Sequence, residues 1–161
     1  SDMVLWQLNN GGCIQMSWGG ATAANVAIRR VDILHAEWNN AEVNRGVLSC
    51  VGDKYQSGKS GYLRDWVIED LVTETAVPLI FRISPDPYSP CPIHGLVMRD
   101  WKVRMNTELG FSNYIIGNDP TEKFDGFVFG NVSINGTRLT EANWMATGNF
   151  EVSNLEPPIF E

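Results

Sequence analysis

The chain has 161 residues, 43% hydrophobic and 19% charged, a balance that suits a single folded domain over residues 1–161 rather than a disordered segment. Its net charge of −7, with Lys and Arg scattered, argues against nucleic acid, which needs a basic face to neutralise phosphates. No apolar run reaches the ~20 residues of a membrane span, and the sequence shows no signal peptide.

In chain order, residues 3–5 (Met-Val-Leu) and 13–16 (Cys-Ile-Gln-Met) predict two short strands. Residues 26–33 (Val-Ala-Ile-Arg-Arg-Val-Asp-Ile) carry a longer pattern: apolar, any, apolar, two mostly polar residues, apolar, any, apolar. The same pattern returns at 66–73, 96–103 and 127–134, and residues 3–5 match its second half. It recurs every ~30 residues, with one interval of about 40, within the range of solenoid repeats. A second apolar run follows each copy, at 47–50, 78–81, 114–117 and 149–152. Polar or proline-rich insertions are expected at 53–61, 84–92 and 118–123, and a hairpin turn at Asn135-Gly136. The tail, 155–161, is expected to stay extended outside any ladder, because Pro157 and Pro158 lack donors.

Alternation marks strands with one buried face, and the two central polar residues mark a corner. One such unit cannot bury its apolar face alone; stacked copies form a continuous core. The expected fold is therefore all-β: a right-handed, single-stranded parallel β-helix of about five coils, the first incomplete. A β-sandwich is the alternative, but its strands need no shared coil pattern.

No nucleophile, phosphate-loop or metal motif is present. Cys13, Cys50 and Cys91 read as small buried apolar residues, and His35 and His94 lie too far apart in sequence for an obvious metal site. Neither metal nor cofactor is expected. Glycosidases need two carboxyl groups across a bond, and Asp32, Glu69, Asp70 and Asp100 are candidates for pairing across coils. The plainer role for Asp70 and Asp100 is backbone hydrogen bonding at the corner. Of six tryptophans, Trp66 and Trp101 fall on core positions. Trp18 and Trp38 follow strand ends, where they either stack sugar rings or pack under loops. Asn131 and Asn135 each begin a glycosylation triplet.

Residues 6–19 (Trp-Gln-Leu-Asn-Asn-Gly-Gly-Cys-Ile-Gln-Met-Ser-Trp-Gly) resemble a segment of glycoside hydrolase family 49, the dextranases and isopullulanases. Residues 31–35 (Val-Asp-Ile-Leu-His), 80–83 (Ile-Phe-Arg-Ile) and 132–140 resemble later parts of that family in the same order. The resemblance implies an inverting α-glucan hydrolase built on a β-helix, and an extracellular location. The family's catalytic aspartates, including an adjacent Asp-Asp pair, lie upstream of the Trp-x-Leu segment and have no counterpart here. The chain is thus expected to be a C-terminal portion of such an enzyme, inactive alone, with no catalytic residue of its own. Gln15, Trp18, His35 and Arg82 carry over as substrate-binding candidates, joined by Trp38 from its loop position. The alternatives are a carbohydrate-binding module without catalysis and a self-associating module that pairs through its N-terminal coil.

Overall fold

Backbone bends placed at equal points of successive coils set this architecture. The computed structural model describes residues 3–7, 12–18, 20–36, 45–51, 60–85 and 89–161. The long strands β3 (Ala23–Ala36), β5 (Leu63–Val77) and β7 (Ile93–Met105) lie parallel and in register. Two of their positions have left-handed backbone. Asn25, Asp65 and Gly95 form one corner, continued by Gly126, and Arg30, Asp70 and Asp100 form the second, continued by Asn131. Asn and Asp adopt this conformation at less cost than other side chains, and Gly at almost none. The polar pair at the centre of the sequence repeat is therefore the second corner.

The first sheet runs β1 (Met3–Gln7), β3, β5, β7, then β9 (Asp125–Gly130) and β10 (Ser133–Ile134). The second runs β2 (Ile14–Trp18), β4 (Leu48–Val51), β6 (Phe81–Ser84), β8 (Asn113–Ile116) and β12 (Phe150–Ser153). All these neighbours pair in parallel. The result is a parallel β-helix, a solenoid of about four turns. Among the described strands β10 pairs antiparallel with β11 (Thr137–Arg138), the two joined by left-handed Asn135 and Gly136 as the hairpin dipeptide predicts.

Inside, equal positions stack on one another. Trp66, Leu96 and Phe127 form one column, Ile68, Met98 and Phe129 the next, and Leu71 lies against Trp101. Trp101 is fully buried, and its indole N–H donates to the Thr73 hydroxyl at 3.2 Å. Asn113 is buried too, one of several polar residues in the interior with Ser17, Ser49, Thr73 and Ser89. Its amide oxygen accepts from the backbone N–H groups of Ile80 and Phe81, at 2.6 and 2.8 Å, and its Nδ2 donates to the Gly148 carbonyl. It thereby satisfies backbone groups on both neighbouring coils.

Two sequence expectations need correction. The run at 78–81 is not itself a strand: β6 begins only at Phe81, after a buried bend. The tail does enter a ladder. Past the prolines, β13 (Ile159–Phe160) pairs with β9, and Glu161 N–H donates to the Phe129 carbonyl at 3.1 Å. Proline removes only its own donor, so the residues after it remain able to pair.

Candidate functional site

The outer faces of the sheets carry polar side chains in rows, one rung to the next spaced about 4.8 Å. On the second sheet Gln15, Ser49, Arg82, Tyr114 and Glu151 succeed one another. Gln15 and Arg82 therefore share a row, as two of the predicted substrate contacts. The Gln15 side-chain oxygen accepts from the Ser49 hydroxyl at 3.1 Å, and its Nε2 donates to the Ser17 carbonyl at 2.6 Å. The Arg82 guanidinium lies 4.3 Å from the centre of the Tyr114 ring, a cation–π contact. Ser49, between them, is fully buried under the backbone at Gly12. The row is thus interrupted, and Gln15 and Arg82 do not line a continuous cleft.

His35 is on the other sheet, in the arm of β3 beyond the second corner. Its ring stacks on Trp6 at 4.8 Å and 28° between planes, and Trp6 is 64% exposed. Of Trp18 only the backbone, at the end of β2, is described, and Trp38 lies outside the described residues. The register thus divides the predicted contacts between two sheets.

The same arm of the first sheet holds a groove of about 740 Å³, lined chiefly by Val72, Glu74, Lys102, Arg104, Ser133 and Asn135. Val72, Lys102 and Ser133 are register partners on three successive coils. The β10–β11 turn at Asn135 and Gly136 forms part of its wall. Arg104 donates through Nη1 to the Glu74 carbonyl at 3.0 Å. Sequence reasoning missed this groove. Its signal was present in the repeat, where positions 72, 102 and 133 are the same outward place after the second corner.

A second cluster precedes the first corner. Arg64, His94 and Asp125 are register partners, and His94 Nδ1 lies 3.0 Å from the Asp125 carboxylate. Two shallow concavities, of about 360 and 340 Å³, share His94 and Glu122. An imidazole held by a carboxylate has the form of a general base, but among the described residues no hydroxyl or thiol hydrogen-bonds to it.

Of the carboxylates proposed to pair across coils, Asp70 and Asp100 occupy the same corner of adjacent coils, while Asp32 and Glu69 face no other carboxylate in register. Asp32 has Val4 and Val72 as register neighbours, and Glu69 bonds Arg29 and faces Arg99 on its other side. Asp70 and Asp100 shape the corner, and Asp100 accepts from the Asn131 amide at 2.7 Å, side chain to side chain. The two glycosylation triplets have their amides engaged as well: Asn131 on Asp100, and Asn135 on the Met105 carbonyl at 2.9 Å.

All three cysteines are thiols, with Cys50 and Cys91 buried and Cys13 half-buried. A hydrogen bond with Cys91, together with burial, pushes the Cys50 thiol up. Among the described residues no three His, Cys, Asp or Glu side chains converge as a metal site. Compared with protein-family models, with curated proteins and with solved structures, the chain matches none.

Proposed function

We propose that this chain is a polysaccharide-binding part of a glycoside-hydrolase-type β-helix. It would hold an α-glucan on the arm that carries both the Trp6–His35 stack and the Lys102–Arg104 groove, and would not cleave it alone. The observation that carries the reading is the groove built from register partners on three coils. Its length follows the solenoid axis, which suits a polymer rather than a compact ligand. Val72 offers an apolar floor, while Glu74, Ser133 and Lys102 offer acceptors and donors for sugar hydroxyls. The exposed Trp6 indole supplies a face on which a pyranose ring can stack. Cleavage needs a second carboxyl group roughly 5 to 9.5 Å away, and Glu74 is the one carboxylate lining the groove among the described residues. On this reading hydrolysis would need carboxylates outside this groove.

Affinity electrophoresis in dextran-containing gels tests the reading. The chain is expected to be retarded, and Trp6→Ala to abolish most of the retardation. Migration unaffected by dextran overturns glucan binding, and normal dextran turnover by these 161 residues overturns the non-catalytic part.

A second reading, self-association through β1, is favoured by the exposure of Met3, Val4 and Trp6 at 50, 62 and 64%. A concentration-dependent dimer in sedimentation supports it; a monomer at all concentrations removes it.

A further inference from the structure

The Lys102–Arg104 groove brings two cations together on neighbouring outward positions of one strand. Four other cations are matched by acids, Arg29 by Glu69, Arg64 by Asp65, Arg99 by Glu161 and Lys123 by Glu156, while Arg82 lies over the Tyr114 ring and Arg138 donates to the Glu161 backbone oxygen. Lys102 and Arg104 are exposed and, among the described residues, form no ion pair with any carboxylate. Arg104 spends one guanidinium N–H on a backbone carbonyl, which orients the group without neutralising it. Two cations and one carboxylate, Glu74, leave the groove with a net positive charge in a chain of net charge −7, which marks it as a place for negative charge.

We propose that this groove selects a carboxylate-bearing sugar chain, a uronate-containing polysaccharide, over a neutral one. The inference rests on the reading of the groove as a polysaccharide site. Lys102 and Arg104 receive carboxylates of the polymer. Glu74, beside them, accepts from hydroxyls and repels charge placed too near it. That mixture disfavours a densely charged polymer such as nucleic acid, whose phosphates would meet Glu74 at close spacing. A sugar chain with charges separated by hydroxyl-rich stretches fits it. Ser133 adds a hydroxyl on the next coil, in register with Lys102.

Calorimetric titration with oligogalacturonate and with an isomalto-oligosaccharide of equal length tests the proposal. The acidic oligomer is expected to bind about tenfold more tightly at low salt, with the preference shrinking as salt screens the contacts. Lys102→Gln and Arg104→Gln should each weaken oligogalacturonate about fivefold and weaken the neutral oligomer less, so that the preference narrows, whereas Glu74→Gln should tighten the acidic one. All three side chains are exposed, so the variants should fold, and circular dichroism checks this. Equal affinity for the two oligomers, or an acidic preference that survives both cation variants, overturns the selectivity while leaving polysaccharide binding standing. No binding of either oligomer overturns both.

Discussion

Asn131 donates through Nδ2 to the carboxylate of Asp100 at 2.7 Å, and both residues hold a left-handed backbone at the same corner of consecutive coils. The side-chain bond and the backbone bend therefore stabilise one feature. Asn131→Ala should lower unfolding free energy by about 1–2 kcal/mol, combining the cost of a left-handed alanine with the lost bond. Asn131→Gly loses the bond alone and should cost less. Urea midpoints of the two variants decide the matter: equal losses would show that the backbone contributes nothing.

Asn113 presents a larger effect at a less accessible place. Asn113→Leu keeps the volume but leaves the N–H groups of Ile80 and Phe81 and the Gly148 carbonyl without this partner. Each buried polar group left unpaired costs about 1–3 kcal/mol, so three of them put the expected loss at about 3 kcal/mol or more. A thermal unfolding midpoint unchanged from the parent chain would contradict this.

The first corner distinguishes two glycines. A Cβ at Gly126, where φ is +64°, would approach Gly95 backbone atoms at 3.0 Å, whereas one at Gly95, where φ is +80°, meets Asp65 only at 3.5 Å. Gly126→Ala should therefore destabilise more than Gly95→Ala. Gly95→Asn should be tolerated best, because Asn25 and Asp65 occupy that corner in earlier coils. The order of the three in chemical denaturation tests the packing argument.

Burial pushes the Cys13 thiol up to about 11, outweighing an opposing backbone hydrogen bond. A raised thiol favours the protonated native state, so this contribution is complete below the ordinary value of 9.0 and is lost as pH climbs toward about 11. Cys13→Ser should flatten the fall in urea midpoint over that interval. Native protein should also react with iodoacetamide at Cys13 far more slowly than urea-unfolded protein at about pH 8. Equal rates would show that the thiol is not desolvated.

Much of the coil was legible from local pattern. Val26, Trp66, Leu96 and Phe127 align in the sequence repeat, and the same residues are register partners in the sheet. Alternation records which side of a strand is buried, and a repeat records which residues stack, so both survive in one dimension. The Asn135-Gly136 turn was equally local, since its backbone conformation depends on those two residues. The burial of Trp101 followed from its place in the pattern.

The tertiary structure decided what depended on where a coil closes. Gln15 and His35 lie only a coil apart along the chain, yet the corners send them to different sheets. Ser49 alternates outward, but the chain passing over it at Gly12 buries it, a contact that no pattern within β4 encodes. Lys102, Arg104 and Glu74 look unremarkable singly in the sequence. They form a groove because register sets neighbouring coils side by side and the β10–β11 turn walls part of it. Strand identity is a property of a few consecutive residues, whereas a binding surface is a property of the register between coils that lie about 30 residues apart in the chain.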